Sequence, residues 1–165
     1  MIDSKNTVTY SVNNFNDTNP GGLVIRMNND LTQYLWTKSI EPAPTGWVST
    51  AQALALDSRN NVYVTGYTFG AYAGFTNAGI ADIFVLKLGS ATGNRLWTRQ
   101  FGGTNDDYGF GIAVSDAVYV AGYSKSNPNL LGDTNYCNCP ISADSADAFL
   151  AQLSLGTGTI LGIDQ

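Results

Sequence analysis

The residues that could do chemistry in this chain are few, and they cluster between regular segments. Asp106 and Asp107, in Gly-Gly-Thr-Asn-Asp-Asp-Tyr-Gly, place adjacent carboxylates beside free carbonyls. Oxygen-rich turns of this kind can hold calcium, although the spacing is not that of an EF-hand. The alternative is a turn in which the Asp side chains cap backbone N–H groups. Cys137 and Cys139 form Cys-Asn-Cys-Pro, a pair able to grip a soft metal or close a reducible disulfide, or else remain as loop thiols. Two cysteines define no disulfide framework. Trp47, Tyr72, Phe75, Tyr108 and Tyr136 stand in or beside Asn- and Asp-containing segments. Exposed rings next to amides suit a carbohydrate, with the apolar sugar face on the ring; the other reading is that the rings plug their own loops. The chain has no histidine, which removes Ser-His-Asp and Cys-His arrangements and the commonest metal ligand. No pair among Asp106, Asp107, Asp133, Asp144 and Asp147 is singled out by spacing for glycosidase work. The expectation is no catalysis and no cofactor, with calcium at Asp106 and Asp107 as the exception to test.

The elements that must position these residues repeat. Leu23 to Trp36 (LVIRMNNDLTQYLW) recurs without a gap as Phe84 to Trp97 (FVLKLGSATGNRLW) and again, less closely, as Phe149 to Gly162 (FLAQLSLGTGTILG). A second unit alternates with it: LALDSRNNVYVTGYT from Leu54 matches IAVSDAVYVAGYS from Ile112. Self-similarity at such a period marks an array of supersecondary units. Each unit reads as a hairpin. Arg95 to Phe101 alternates apolar and polar residues, and turn formers such as Asp57-Ser58-Arg59-Asn60-Asn61 separate the runs. In the second copy that turn shortens to about Ser115-Asp116. With strands A and B from the second unit and C and D from the first, the order is C-D, A-B-C-D, A-B-C-D. Thr7 to Phe15 alternates Val8, Tyr10 and Val12 and supplies a strand B for the first set.

Four-stranded antiparallel units repeated along a chain are the blades of a β-propeller. The unit resembles the bacterial β-propeller repeat, the SBBP repeat, through four short motifs in order. They are Gly111 to Val114, Val118 to Gly122, Asp147 to Leu150, and Leu96 to Gly103. Gly162 departs from it where strand D otherwise carries tryptophan, and the first set lacks a clear strand A. A β-sandwich is the competing fold, but it does not require one tetrad to repeat. The expected fold is therefore all-β, a propeller-type array of about two and a half to three blades that does not close a ring alone. Residues 1–165 form one domain, with a partial first blade at 7–41 and further blades at 53–101 and 111–165. Trp36 and Trp97 recur at one position in strand D and are expected to pack between blades.

In such a meander the B-C and D-A connections share one end. Here they are the long ones: Phe69 to Ala81, Lys125 to Ala146, Ser39 to Gln52 and Gly102 to Gly109. A ligand face is expected there, because function collects on loops held by a rigid scaffold.

Bulk properties narrow the partners. Charged residues make up 13% of the chain, about half the usual fraction, which argues against helical surfaces. A net charge of −5 leaves no basic stripe for phosphates, so nucleic acid is not an expected partner. No apolar run reaches the length of a membrane span. The N-terminus has no basic-then-apolar leader pattern; either the protein is not secreted or, as expected here, a leader or upstream domains are missing from this chain. The resemblance implies a secreted bacterial protein. The expected function is a non-catalytic extracellular or cell-surface module binding a glycan or protein. The alternatives are a structural subunit assembling through blade edges, with other copies or missing blades as partners, and a fragment of a propeller enzyme.

Overall fold

A computed structural model describes residues 8–14, 21–42, 47–126 and 146–164, and among these there is no helix. The chain forms three antiparallel sheets. The first holds β1 (Val8–Asn14), β2 (Gly21–Met27) and β3 (Tyr34–Ser39). The second holds β4 (Ser49–Leu56), β5 (Val62–Thr68), β6 (Asp82–Leu88) and β7 (Arg95–Phe101). The third holds β8 (Asp107–Val114), β9 (Val118–Ser124), β10 (Asp147–Leu153) and β11 (Ile160–Asp164). Each sheet is a meander in chain order. The A-B-C-D tetrad is thus complete twice, and the first sheet carries B, C and D. This is an open array of propeller blades.

The repeat extends to irregularities in strand pairing. The A-B ladder shifts register between Ala51 and Ala53 in the second sheet and between Gly109 and Gly111 in the third. The C-D ladder shifts between Arg26 and Met27, between Lys87 and Leu88, and between Gln152 and Leu153. A one-residue slip moves every later side chain to the opposite face of a sheet. Bulges at matching places therefore keep the same faces turned toward the same neighbours in each blade.

Burial shows where the core lies. In the second sheet β5 and β6 are buried almost without interruption, because both faces of that sheet are covered. In the third sheet β10 alternates, because among the described residues only one face is. Val62, Val64, Phe84 and Leu86 join Val24, Trp36, Ile40 and Tyr72 in a cluster between the first two sheets. Tyr63, Ile83, Val85 and Phe101 join Val118, Val120, Phe149 and Leu153 between the second and third.

A polar latch crosses each joint. Ser90 O accepts from the Trp36 indole N–H at 3.0 Å and from Arg26 Nη1 at 3.1 Å. One blade later, Leu155 O accepts from the Trp97 indole N–H at 3.2 Å and from Lys87 Nζ at 2.9 Å. The expected packing role of both tryptophans is thus met, and each ring also lies against a glycine of the next C-D turn. Gly93 and Gly158 have φ of 66° and 69°, and a Cβ on either would come within 2.6 Å of Cε3 of Trp36 or Trp97 respectively. Only glycine combines that backbone with that approach. The third blade has Gly162 and Gln152 at the latch positions, so its outward face carries neither tryptophan nor cation.

Two expected boundaries differ. Strand A starts earlier than its hydrophobic pattern indicates, because the bulge at Gly109–Gly111 lets β8 run back through the glycines to Asp107. Asp107 and Tyr108 thus belong to a strand, not to the connection Gly102 to Gly109. The turn after β8 spans 115–117 and is closed by Ser115 N–H donating to Ala117 O at 3.0 Å, a residue longer than Ser115-Asp116.

Candidate functional site

The B-C loops and D-A connections meet along one rim and are tied together there by backbone bonds. Phe69 N–H donates to Val48 O, Asp107 N–H to Ala81 O, and Lys125 N–H to Asp106 O, at 3.1, 2.8 and 2.9 Å. This crossing brings residues far apart in sequence onto one surface.

The aromatic residues expected there divide into two groups. Tyr72 is 1% exposed, with its ring 5.6 Å from that of Phe84. Its hydroxyl donates to Ile40 O, and its N–H donates to Gln100 Oε1 at 2.8 Å. It closes the joint between the first two sheets and leaves no ring face for a ligand. Burial, countered by the Ser49 hydrogen bond and Arg95, pushes its phenol well above the usual tyrosine range. Phe75 packs half-buried on the same cluster, under the Arg99 guanidinium at 5.8 Å. Trp47 is 53% exposed, and its Cβ lies against Gly70. Tyr136, Cys137 and Cys139 lie outside the described residues, as do Asp133 and Asp144.

Tyr108 belongs to a larger assembly of rings. It lies 4.5 Å from Tyr67 of β5, 5.1 Å from Tyr123 of β9 and 6.1 Å from Phe110, on which it stacks at 6°. Phe110 lies 5.5 Å from Tyr123, and Tyr67 meets Phe69 edge-on at 5.7 Å. The result is a continuous aromatic row from Phe69 to Phe110 across the second and third blades. Phe110 is the extra residue of the β8 bulge and is 47% exposed. A bulge re-aims a side chain in this way. The corresponding residue in β4 is Gln52, also exposed. Sequence reasoning missed Tyr67, Phe69, Phe110 and Tyr123, since alternation assigns strand residues to sheet faces. A signal was present: the Gly-Phe-Gly around the bulge breaks the period of two.

The acids separate as well. Asp106 pairs with Lys125 at 3.2 Å, while Asp107 turns inward with no exposed surface. Asp107 accepts from the Ser124 hydroxyl, from Gly103 N–H at 2.7 Å and from Ser126 Oγ at 2.9 Å. Burial raises its pKa against those hydrogen bonds. Beside the row, burial and then the Asp106 carboxylate hold the Tyr108 phenol above its ordinary value. Among the described residues no three Asp, Glu or Cys side chains gather around one point. The adjacent carboxylates of Asp106 and Asp107 thus go to different partners.

On the opposite rim, a cleft of about 540 Å³ runs between the short turns. Asp57, Arg59, Tyr63, Lys87 and Leu155 line it. Its charges largely satisfy one another: Tyr63 donates to Asp57 Oδ2 at 3.1 Å, and Lys87 lies 3.8 Å from the same oxygen. Among the described residues no helix is long and apolar enough to cross a membrane.

Residues 96–128, which run from β7 through β9, match the family model described as a beta-propeller repeat, SBBP. No curated protein matches the chain.

Proposed function

Given a chain that carries a beta-propeller repeat of the SBBP family, we propose a non-catalytic, extracellular or cell-surface module that binds a glycan or protein ligand on its long-loop rim. The aromatic row ending at the exposed, bulge-borne Phe110 carries this reading. Contacting rings, with partly exposed tyrosines at Tyr67, Tyr108 and Tyr123, suit a sugar face or an aromatic anchor of a protein. Asp82 and Asp107, whose carboxylates both approach Gly102, have no exposed surface, and Asp106 is engaged by Lys125. That arrangement supports binding over hydrolysis, since a substrate bond cannot reach the buried pair. A glycan array and a cell-surface capture assay, each run with the chain and with Phe110→Ala, test the reading. Binding lost in the variant supports it; identical profiles for both proteins would sink it.

A second reading, assembly through blade edges, draws on the third sheet, whose Leu150 and Leu161 are exposed. The lack of a latch at Gly162 and Gln152 speaks against joining by the device used internally. Light scattering decides: a monomer at micromolar concentration rules assembly out.

A further inference from the structure

Asp82 opens β6 and Asp107 opens β8, so the two acids belong to neighbouring blades, and neither has exposed surface. Donors surround both. Asp82 Oδ2 accepts from Ala78 N–H and from Gln100 Nε2, each at 2.9 Å. Asp107 Oδ2 accepts from Gly103 N–H and Ser126 Oγ, and its Oδ1 accepts from Ser124. All of these donors are aimed at carboxylate oxygens.

One oxygen stands apart. Asp82 Oδ1 is buried and has no hydrogen-bond partner. It lies 2.6 Å from the point where a side chain on Gly102 would begin, and Asp107 Oδ2 lies 2.9 Å from that same point. The two carboxylates therefore converge beside Gly102. The described ion pairs are Lys87 with Asp57 and Lys125 with Asp106, and neither involves this pair. Two buried carboxylates facing one place without a positive partner repel when both are charged, so that place calls for a cation or a proton.

We propose that Asp82 Oδ1 and Asp107 Oδ2 bind a hard cation, calcium, at the joint between the second and third blades. Calcium takes carboxylate oxygens together with backbone carbonyls and water in a flexible shell. The turn that follows Gly102 carries carbonyls as well: those of Gly103 and Asn105 pack on Gly79, three residues before Asp82. The corresponding positions at the first joint are Gly21 and Ser49, so the site belongs to the second joint alone. Bound there, calcium fixes the start of β8, whose next residue, Tyr108, sits in the aromatic row.

Thermal melting of the full chain, stripped with EDTA and then titrated with calcium chloride, magnesium chloride or sodium chloride, tests the site. Calcium at about 100 times its dissociation constant is expected to raise Tm by roughly 5–10 °C. Asp82→Asn places a donor opposite Asp107 without changing volume, so that variant is expected to stay folded in EDTA and to lose the calcium response. Asp106→Asn is expected to keep it. An unchanged wild-type Tm and no heat of calcium binding by calorimetry would overturn the proposal. So would a calcium response that survives in Asp82→Asn. If the stripped protein instead loses Tm steadily from pH 5 to pH 8 and calcium does not restore it, a shared proton fills the place and the cation reading fails.

Discussion

Trp97 donates its indole N–H to the carbonyl oxygen of Leu155 at 3.2 Å, across the joint from the second blade to the third. The same oxygen accepts from Lys87 at 2.9 Å. Trp36 and Arg26 repeat both bonds on Ser90 one blade earlier. Blade stacking in this protein is therefore not apolar contact alone. Each joint has a carbonyl of a C-D turn that is satisfied only by the preceding blade, and that requirement sets the register of the array.

Removing the latch should weaken the array. Trp97→Ala is expected to cost about 3 kcal/mol, from lost ring burial and an unsatisfied carbonyl. Trp97→Phe keeps most of the packing and loses the hydrogen bond, for about 1 kcal/mol. Urea unfolding of the two variants measures both, and a Trp97→Phe protein as stable as the wild type would show that the Leu155 bond contributes nothing.

The glycine seats can be separated from ordinary turn glycines. Gly158→Ala puts a Cβ at φ 69° into the Trp97 ring, whereas at Gly74, φ 85°, a Cβ meets nothing within 4 Å. Gly158→Ala is expected to lose about 2–4 kcal/mol and Gly74→Ala about 1 kcal/mol. Chemical denaturation of both variants reports the difference, which is the clash with the indole.

Alkali should open the first joint. Burial raises the folded-state pKa of Tyr72 above the value near 10 that it has when unfolded. Its contribution is then fully present below about pH 10 and is lost as pH rises through the folded value. Tyr63 acts in the same direction, through burial and then the Asp57 charge. Melting curves between pH 8 and pH 11.5 should show Tm falling above pH 10, less steeply in Tyr72→Phe. That variant should also be about 1 kcal/mol less stable at pH 7, having lost its bond to Ile40.

The aromatic row and the Tyr72 plug should respond oppositely to truncation. Phe110→Ala removes a half-exposed ring and is expected to change stability by no more than about 1 kcal/mol while abolishing ligand capture. Tyr72→Ala empties a core position and is expected to cost about 3–5 kcal/mol. Paired melting and binding measurements separate the two. A Phe110→Ala protein that is unstable but still binds would return Phe110 to the core.

Most of the fold is legible in the sequence. Alternation, turn residues and the recurring LVIRMNNDLTQYLW pattern specify hairpins locally, because the side-chain period of a strand is a property of its own backbone. Recurrence of tryptophan at one place in strand D likewise indicated packing between blades, and Arg26 and Lys87 recur in the same way. Adjacency in sequence does not fix the partners of Asp106 and Asp107: Asp106 pairs with Lys125, while Asp107 caps Gly103 N–H as the turn reading has it. The sites depended on the neighbouring sheets. Tyr72 and Phe110 both flank glycine-rich chain, yet one is sealed beneath the first blade and the other stands out on a bulge. Asp82 meets Asp107 only because the D-A connection crosses to the start of β6, where Asp107 N–H bonds Ala81 O. Local sequence dictates strands and turns through backbone geometry, whereas burial and charge proximity arise only when one blade covers another.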